Sequence, residues 1–411
     1  MFQDGYCTNI GRSAPALTRP LRILHVAPYA ADAWAYGGIP RLLRSLTRGL
    51  ARRGHHVTIC ATDACDAASR LRAPSLHADD GVDVRIFRNV SNRLAYRLQF
   101  FLPLGLDAFL RRHAGAFDVA HLHACRNVPG AIAARHLERN GVPYVLAPNG
   151  TAPRIERRRL AKRAFDAVAG RRVVSGAARV VAVSEAERRQ LTALDVDDAS
   201  VRVIPNPIDL DEFASPIARG RFRRRIGLGS EPLVLFLGRL SPRKRLDVLL
   251  RAFARLARSD ARLAIAGNDM GAEAAARSLA HALGLDSRVV FTGLLRDRER
   301  LEALADADLV SYPSELEIFG LVPLEAILAG TPVVVSDDCG CGEVIREVGG
   351  GRVVAVGDPD ALASAIDAML ADAARWRAAA VDAARRVRSS FGEDDVCASL
   401  EGVYAEVVRC A

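Results

Sequence analysis

The sequence predicts an α/β protein built from two successive units, each with a parallel sheet. Short apolar runs recur along the chain, and helical patterns separate most of them, which is typical of parallel sheets covered by helices on both faces. This alternation is interrupted between residues 206 and 232 and then starts again. The length of 411 residues also favours two domains over one.

Composition excludes several other classes. Hydrophobic residues make up 50% of the chain and charged residues 26%, which is too hydrophobic for a disordered protein. We expect no membrane span, because no apolar run reaches roughly 18 residues. We also expect no secretion, because the N-terminus has no hydrophobic signal core. The eight cysteines form no Cys-x-x-Cys pair and indicate reduced, buried thiols of a cytosolic protein.

Residues 1–20 are expected to form a flexible tail, and the first unit is expected to cover residues 21–210. Its first strand is predicted over residues 21–27 and its first helix over residues 39–53. Apolar runs predict its other strands at residues 56–61, 82–87, 119–122, 144–147, 179–183 and 201–205.

The connection to the second unit contains proline, glycine and a run of arginines. The second unit is expected to cover residues 211–390. Its strands are predicted at residues 233–237, 262–266, 289–292, 309–312, 332–336 and 351–354. From Asp360 onward the chain is rich in alanine and is predicted to be helical.

The two halves of the chain differ in charge. Residues 1–205 carry 31 Arg and Lys against 17 Asp and Glu, whereas residues 206–411 carry 26 against 31, so the halves have net charges of +14 and −5. A basic half suggests an acidic partner: a nucleic acid, an anionic membrane surface or phosphates. Basic residues cluster between Arg154 and Arg172, and residues 92–113 mix arginines with leucines and aromatics. We favour segments that lie in a membrane interface over amphipathic helices with a solvated basic face.

The most informative segment is residues 313–335, PSELEIFGLVPLEAILAGTPVVV. It predicts a loop, then a helix that begins near Phe319 and Gly320, then a strand. Free amides at the start of such a helix can bind a phosphate. Glu317 precedes the helix and Glu325 lies within it. Carboxylates suit sugar and ribose hydroxyls because they accept two hydrogen bonds at once, although two surface glutamates beside a core helix would give the same pattern.

A second segment, residues 233–250, predicts a buried strand followed by Arg239 and, five residues later, Lys244. An arginine and a lysine at a strand end can hold a diphosphate and stabilise it as a leaving group, and a solvated loop is the alternative. Lys244 is one of two lysines among 57 basic residues, which suggests that a compact ammonium is required there. The pair Gly37-Gly38 allows backbone amides to approach an anion, but it is a weak signal.

Together these segments carry a family resemblance. Glu317-x7-Glu325 within SELEIFGLVPLEAILAGTPVVVS, with GRLSPRKRLD, IPNPID and YGGIPRLLRSLTRGLARRGHHVTI, resembles the retaining glycosyltransferases of family 4, which have the GT-B fold. The likeness covers about residues 21–390. It implies two Rossmann-like domains with parallel sheets facing across a cleft, the first for the acceptor and the second for a nucleotide-diphosphate sugar. The last segment, residues 391–411, would cross back as a helix to the first domain.

The resemblance also implies roles for single residues on the donor side. Arg239 and Lys244 would grip the diphosphate, and Glu317 would hydrogen-bond the donor sugar. The other implied donor-binding residues are Gly37 and Gly38 over the diphosphate, Gly293 and Leu294 beside the base, Phe319, Gly320 and Leu321 through backbone amides, and Glu325 on the ribose.

On the acceptor side the resemblance implies His123 and Asn149. His123 ends a predicted strand in VAHLHACRN, where the reacting sugar would lie, and a hydrogen-bonded structural histidine is the alternative. Asn149 stands where the family often has histidine, and no acid/base role rests on it because an amide does not titrate. The implied catalytic residues are therefore His123, Glu317, Arg239 and Lys244.

The family mechanism implies no metal and no cofactor, with the nucleotide-diphosphate sugar as co-substrate. The protein would mainly position the sugars and neutralise the diphosphate. Asp306-Ala307-Asp308 matches the Asp-x-Asp motif of metal-dependent glycosyltransferases. It falls at the end of a helical pattern before a strand, and we interpret it as incidental.

The sequence therefore predicts a transferase that moves a hexose from a UDP- or GDP-linked sugar to a lipid-linked or polysaccharide-precursor acceptor in bacterial surface glycan synthesis. The basic first half fits an anionic membrane surface and a peripheral location on the inner face of the cytoplasmic membrane. A nucleotide-sugar epimerase on the same fold is the alternative. A nucleic-acid-binding protein ranks third, because no RNP, KH or zinc-finger pattern is present. The oligomeric state stays open.

Overall fold

The computed structural model of the protein describes residues 19–66, 68–71, 81–153, 165–338 and 340–409. The chain forms two compact units, Met1–Pro207 together with Glu393–Ala411, and Ile208–Gly392. Most of the expected tail, residues 1–18, lies outside the described residues. Residues 154–164, the larger part of the predicted basic cluster, also lie outside the described residues.

The first unit contains an eight-stranded sheet in the order β4-β3-β2-β1-β5-β6-β7-β8. Its strands are β1 Arg22–Val26, β2 His56–Thr62, β3 Val82–Asn89, β4 Pro103–Leu104, β5 Val119–His123, β6 Tyr144–Ala147, β7 Arg179–Ala182 and β8 Val201–Val203. All neighbours pair in parallel except β3 and β4, which are antiparallel. The prediction of a parallel sheet is confirmed, and the predicted strands agree within two residues. Sequence analysis missed β4, because two residues are too few to show a period.

The helices of the first unit are α1 Gly38–Arg52, α2 Asn92–Leu98, α3 Leu106–His113, α4 Val128–Arg139, α5 Arg171–Ser175 and α6 Glu185–Thr192. In α1 the leucines at 42, 43, 46 and 50 are buried, and this spacing of three and four residues forms one face of a helix. The segment 92–113 forms α2, β4 and α3 in succession rather than one continuous helix. Among the described residues, no helix has the length and apolar character that crossing a membrane requires.

Two hydrophobic cores cover the two faces of this sheet, because successive side chains of a strand point to opposite faces. In β1, Ile23 belongs to one core, whereas Leu24 and Val26 belong to the other. By the same alternation His25 shares the face of Ile23. On β5, His121 and His123 share the face of Val119, which packs in the same core as Ile23.

The second unit contains a six-stranded sheet in the order β11-β10-β9-β12-β13-β14. Its strands are β9 Leu233–Leu237, β10 Arg262–Ala266, β11 Val289–Gly293, β12 Leu309–Tyr312, β13 Val333–Asp337 and β14 Gly351–Ala355. All pairings are parallel, and all six predicted strands are confirmed within one residue. The strand bounds were predicted accurately here because buried parallel strands are continuous apolar runs. In β9, for example, all five residues are buried.

The helices of the second unit are α7 Arg221–Arg225, α8 Leu246–Ala254, α9 Glu273–Ala282, α10 Asp297–Asp306, α11 Leu321–Leu328, α12 Gly340–Val348, α13 Pro359–Ala371 and α14 Ala373–Phe391. The last helix, α15 Glu393–Arg409, belongs to the first unit. Its residues Val396, Leu400 and Tyr404 lie in the core that α1 and β1 share. The end of the chain thus completes the core of the first unit.

The strand orders place a switch point in each sheet. In the first sheet the order runs outward from β1, with β2 on one side and β5 on the other. In the second sheet it runs outward from β9, with β10 on one side and β12 on the other. Loops after such neighbouring strands leave in opposite directions, and the crevice that opens at their carboxyl ends is where ligands bind in open α/β sheets.

The two carboxylates of the Asp-x-Asp sequence are engaged by the second unit itself. Asp306 accepts hydrogen bonds from the backbone amides of Phe222 (2.8 Å) and Arg223 (3.1 Å) at the start of α7. Asp308 accepts from the amide of Leu233 (2.9 Å) and pairs with the Arg223 guanidinium (2.6 Å). These contacts explain both aspartates as groups that fix α7 to β9 and α10.

Candidate active site

The residues predicted for the diphosphate and the donor sugar meet at the switch point of the second sheet. Lys244 ends the 3-10 turn Pro242–Lys244 that follows β9, and Tyr312 is the last residue of β12. The Lys244 ammonium donates a hydrogen bond to the Tyr312 hydroxyl (2.5 Å) and another to Glu317 Oε2. The Tyr312 hydroxyl donates in turn to Glu317 Oε2 (3.2 Å). These three side chains form one closed polar cluster, which we call the lysine cluster.

Burial and charge act against each other in the lysine cluster. Burial alone would raise the pKa of Glu317, but the charge and hydrogen bond of Lys244 outweigh burial, so this pKa is lowered. Arg243 in the same turn and Arg239 just after β9 lie close enough to lower it further. Burial lowers the pKa of Lys244, and Glu317 opposes that effect. Burial and the neighbouring carboxylate raise the pKa of Tyr312 well above its usual value, so its hydroxyl stays protonated.

The shape of the cluster explains why a lysine survives in an arginine-rich chain. Lys244 is only 5% exposed, and its ammonium lies 4.4 Å from the centre of the Tyr312 ring. A compact ammonium can bond a hydroxyl and a carboxylate oxygen within this small buried space, whereas a planar guanidinium has a wider fixed fork. Sequence analysis missed Tyr312, because nothing in the sequence shows that the end of β12 lies beside the turn after β9.

The helix predicted to begin near Phe319 and Gly320 is α11. Gly320 has φ of 82°, and a Cβ atom there would lie 2.5 Å from the Cys341 sulfur, so only glycine fits. Phe319 is buried and packs edge-on against Phe391, with 5.7 Å between the ring centres. Leu321 is the first residue of the helix, whose initial amides have no partner within the helix.

Glu325 has different partners from Glu317. It lies within α11, is 1% exposed and pairs with Arg300 of α10 at 2.7 Å. Arg300 is also buried and pairs with Glu212. Sequence analysis missed this buried arginine. The predicted contact of Glu325 with a ribose stays a prediction, and it requires a hydroxyl to approach a carboxylate that already has a cationic partner.

The remaining donor-side residues lie at strand ends or helix starts. Gly37 precedes α1 with φ of 93°, a conformation that favours glycine, and Gly38 is the first residue of the helix. Gly293 ends β11 and is exposed, and Leu294 follows it and is half-buried. Their predicted contacts with a diphosphate and a base stay predictions.

His123 lies at the switch point of the first sheet, at the carboxyl end of β5, and is fully buried. Its Nε2 atom is 3.0 Å from Nδ1 of His25 on β1. Burial lowers the pKa of His123 to about 3, so the imidazole is neutral across the physiological range. His123 can therefore donate or accept a hydrogen bond, but it does not bring a positive charge to a ligand.

Asn149 lies in the loop after β6, with φ of 51°, and its side-chain amide donates to the carbonyl of Ala147 at 3.1 Å. The next amide, of Gly150, donates to Glu187 at 2.6 Å. The other Glu187 oxygen accepts from the amide of Val183 at 2.9 Å. Glu187 thus fixes the loop that carries Asn149 to the start of α6. Burial raises the pKa of Glu187 to about 7.

Comparison with known proteins places this arrangement in a family. The family model described as Glycosyltransferase Family 4 matches residues 36–212, and the model described as Glycosyl transferases group 1 matches residues 219–387. A protein of Xylanimonas cellulosilytica named D-inositol 3-phosphate glycosyltransferase is 34% identical over 397 residues, covering 91% of this chain and 92% of its own. One of the same name from Kineococcus radiotolerans is 30% identical and covers 97% of both chains.

The chain belongs to glycosyltransferase family 4.

Solved structures support the GT-B fold of this glycosyltransferase. HepE of Anabaena, in complex with UDP and glucose, matches with a TM-score of 0.75 and 20% identity over 94% of this chain and 100% of HepE. Sucrose-phosphate synthase of Thermosynechococcus elongatus matches with a TM-score of 0.73 and 23% identity over 95% and 99% of the two chains. At these identities the likeness concerns the fold.

Replacing Lys244 with methionine should destabilise the glycosyltransferase. Glu317 would be left buried without a cation, which typically costs about 3–5 kcal/mol. Its pKa would then rise, so the loss should be smaller near pH 5, where the carboxyl holds a proton, than near pH 8. We expect Lys244→Met/Glu317→Gln to recover most of the loss. Thermal unfolding of the wild type, Lys244→Met, the double variant and Arg243→Met at both pH values measures this loss. Arg243→Met is the matched control, because it removes a charge from the same turn whose effect on the pKa of Glu317 is smaller than that of Lys244. Equal losses for Lys244→Met and Arg243→Met would contradict the proposed ion pair.

Glu187 should give stability a pH dependence of its own. The folded protein keeps the Glu187 proton up to a pH of about 7, whereas the unfolded chain loses it near 4.5. The free energy of unfolding should therefore fall as pH rises through that window, by up to about 1.4 kcal/mol per pH unit, and level off above it. Glu187→Gln should abolish this slope and, by presenting an amide donor to one backbone amide, cost roughly 1–3 kcal/mol. The neighbouring Glu185→Gln is the control. A slope that survives in Glu187→Gln would refute the assignment.

Proposed function

We propose that this glycosyltransferase transfers a hexose from a UDP-sugar with retention of configuration at the anomeric carbon. The observation that carries the proposal is the lysine cluster with Arg239 at the switch point of the second sheet, where two cations and a carboxylate lie side by side. A nucleotide sugar presents a diphosphate next to sugar hydroxyls, and the site has complementary groups for both. UDP rather than GDP is proposed because HepE, which is similar in fold, binds UDP and glucose.

The lysine cluster leaves capacity for a ligand. An ammonium has three donors, of which Tyr312 and Glu317 use two, so the third can bond a phosphate oxygen. The hydrogen bonds from Lys244 and Tyr312 both go to Oε2 of Glu317, so Oε1 can accept a hydrogen bond from a sugar hydroxyl. Arg239 adds a second positive charge. In this proposal Arg239 and Lys244 stabilise the departing diphosphate, and the transfer uses no metal.

The groups that the site offers decide which route to retention we propose. A covalent route to retention needs a free carboxylate nucleophile, and Glu317 is already held by Lys244 and Tyr312. His123 is neutral and buried. We therefore propose that the leaving diphosphate itself helps to take the acceptor proton, while the protein positions the two sugars. The acceptor then attacks the face that the diphosphate leaves.

The acceptor is proposed to be a lipid-linked glycan precursor at a membrane surface. Six of the nine large hydrophobic side chains that are exposed among the described residues lie between 90 and 104: Val90, Leu94, Leu98, Phe100, Leu102 and Leu104. We call this group the apolar patch. Exposed arginines at 88, 93 and 97 lie between or beside its members. Apolar side chains among arginines complement an anionic bilayer surface.

The apolar patch is held in place by hydrogen bonds rather than left loose. Asn89 is buried, donates to the Ser91 carbonyl (2.9 Å) and accepts from the Leu102 amide (2.8 Å). The amide of Val90 donates to the Leu102 carbonyl at 3.1 Å. A protein that fixes six exposed apolar side chains in one place gains from covering them, because contiguous exposed apolar surface marks an interaction site.

A second acceptor is favoured by a different observation. The relatives of 30% and 34% identity are both named D-inositol 3-phosphate glycosyltransferase. A soluble phosphorylated cyclitol would need no membrane surface. The two acceptors therefore make opposite predictions for variants of the apolar patch.

The donor assignment is tested by nucleotide binding. We expect UDP and UDP-sugars to raise the melting temperature more than GDP or ADP. Arg239→Ala should weaken UDP binding at least about tenfold, since a charge-assisted hydrogen bond contributes about 1.5–3 kcal/mol. Arg262→Ala is the matched control, because Arg262 begins β10 and so lies at the opposite edge of the same sheet. Isothermal titration calorimetry measures both. A folded protein that binds no nucleotide, or equal affinity in Arg239→Ala, would remove the basis of the proposal.

The acceptor assignment is tested by transfer and by flotation with vesicles. With a radiolabelled UDP-sugar and EDTA present, we expect label in the lipid extract, and NMR of the product should show a retained anomeric configuration. The variant Leu94→Ser/Leu98→Ser/Phe100→Ser should lose binding to vesicles that contain phosphatidylglycerol and lose transfer to lipid. Leu194→Ser/Val381→Ser, which alters exposed side chains elsewhere, should lose neither. Transfer to D-inositol 3-phosphate that is unaffected by the patch variant would favour the second acceptor, and a new free sugar nucleotide without acceptor would indicate an epimerase.

A further inference from the structure

Three buried histidines meet where β1 and β5 pair. His25 on β1 is directly opposite His121 on β5, and His123 lies two residues further along the same face. Their exposed fractions are 0%, 1% and 0%. His25 Nδ1 lies 3.0 Å from His123 Nε2, and His121 Nδ1 lies 2.8 Å from the hydroxyl of Tyr404 on α15. The ring of His121 stacks on that of His123, with 4.5 Å between centres and 4° between planes.

The contact between His25 and His123 requires a definite proton arrangement. Burial lowers the pKa of all three histidines, so each ring is neutral and carries one proton on one of its two nitrogens. One ring must donate and the other accept. A neutral imidazole intrinsically favours the Nε2–H form. Only one arrangement gives that form to both rings: His123 Nε2–H donates and His25 Nδ1 accepts. The other arrangement needs the less stable Nδ1–H form twice.

We propose that His25 is a positioning residue for His123, and that it holds His123 as the Nε2–H tautomer with a bare Nδ1 atom that accepts a hydrogen bond from a substrate hydroxyl. The last step rests on the proposed function, since it requires a sugar to bind there. His123 Nδ1 is buried and has no hydrogen-bond partner within the described residues; the same holds for Nε2 of His25 and of His121, but His123 is the one at the carboxyl end of β5. A buried polar atom without a partner is uncommon in a folded protein, and a ligand hydroxyl would satisfy it.

The stacking decides against a metal ion in this cluster. The three rings lie close enough for one candidate ligand atom from each to fall within 4.8 Å of the others. A metal ion is bound through lone pairs that lie in the ring planes, at about 2.0–2.1 Å from each nitrogen for zinc. The planes of His121 and His123 are stacked and almost parallel, so they share no point near both rings. The distance and small interplanar angle of 20° between His25 and His123 are those of a hydrogen-bonded pair.

His121 and Tyr404 serve a different purpose from His25. Tyr404 is fully buried in the core beside α1, and its hydroxyl bonds the edge of the His121 ring at Nδ1, whereas His123 lies on the face of that ring. His121 touches His123 through its face, which constrains the position of the ring but not the place of its proton. His25 alone among these residues bonds a nitrogen of His123. The two contacts can therefore be separated by mutation.

The test uses two isosteric substitutions of His25 in the full chain. The amide of an asparagine side chain falls near the position of Nδ1, and that of a glutamine near Nε2. His25→Asn should keep an acceptor for His123 Nε2–H, whereas His25→Gln should remove it while keeping a polar side chain. Nitrogen-15 NMR of histidine-labelled protein reports which ring nitrogen carries the proton. We expect His123 to be purely Nε2–H in the wild type and in His25→Asn, and a mixture of both tautomers in His25→Gln.

Kinetics provide the second readout. With the donor found by nucleotide binding, His25→Gln should lower kcat at least about tenfold, whereas His25→Asn should stay within about threefold of the wild type. Tyr404→Phe is the control: it should lower the melting temperature but leave the tautomer and kcat unchanged. An Nδ1–H form of His123 in the wild type, or unchanged tautomers in His25→Gln, would overturn the proposal. So would one equivalent of bound zinc that is lost in His25→Gln. If no nucleotide sugar is turned over, the proposed function fails, and the NMR result still decides the role of His25.

Discussion

The switch point beside the first strand of each sheet is the constraint on which the candidate site depends. Parallel strands send all their carboxyl ends to one edge, and where the strand order reverses, the loops separate and leave a crevice. In the second unit this occurs between β9 and β12, and it brings Lys244 to Tyr312 and Glu317. In the first unit it occurs between β1 and β5, and it brings His25 to His121 and His123. The same topological feature thus assembles both polar clusters from segments that are far apart in sequence.

The two clusters solve the problem of burying polar groups in opposite ways. The lysine cluster keeps charge: the ammonium of Lys244 holds the pKa of Glu317 below its usual value in spite of burial, and a protonated tyrosine bridges the two groups. The histidine cluster, which consists of His25, His121 and His123, carries no charge, because burial keeps the three adjacent imidazoles neutral. A charged site suits an anionic group that leaves, and a neutral site suits hydroxyl groups that must be oriented. In the proposed function, each cluster would serve one half of the sugar transfer.

Sequence reasoning predicted the sheets well because buried parallel strands are local apolar runs, and thirteen strands were found within two residues. It named side chains that meet in the lysine cluster only where they lie in a motif, as Lys244 and Glu317 do. It missed Tyr312, Arg300, His25 and Glu187, whose importance arises from contacts with distant segments: 98 residues separate His25 from His123. Glu317 and Glu325, only eight residues apart, also have different protein partners: the loop before α11 turns Glu317 to Lys244, while the helix directs Glu325 to Arg300.

The cations proposed for donor binding and the excess of arginine lie in different halves of the chain. The groups that complement a diphosphate, Arg239 and Lys244, belong to residues 206–411, the half with a net charge of −5. The half with a net charge of +14 carries the neutral histidine cluster instead. The basic excess therefore lies outside the half that carries the proposed nucleotide-sugar site. Within the described residues, arginines 88, 93 and 97 lie among the exposed side chains of the apolar patch. Arginines around exposed apolar side chains complement a surface that is anionic outside and apolar beneath, as a bilayer is, and this match is the reason for proposing an acceptor at a membrane.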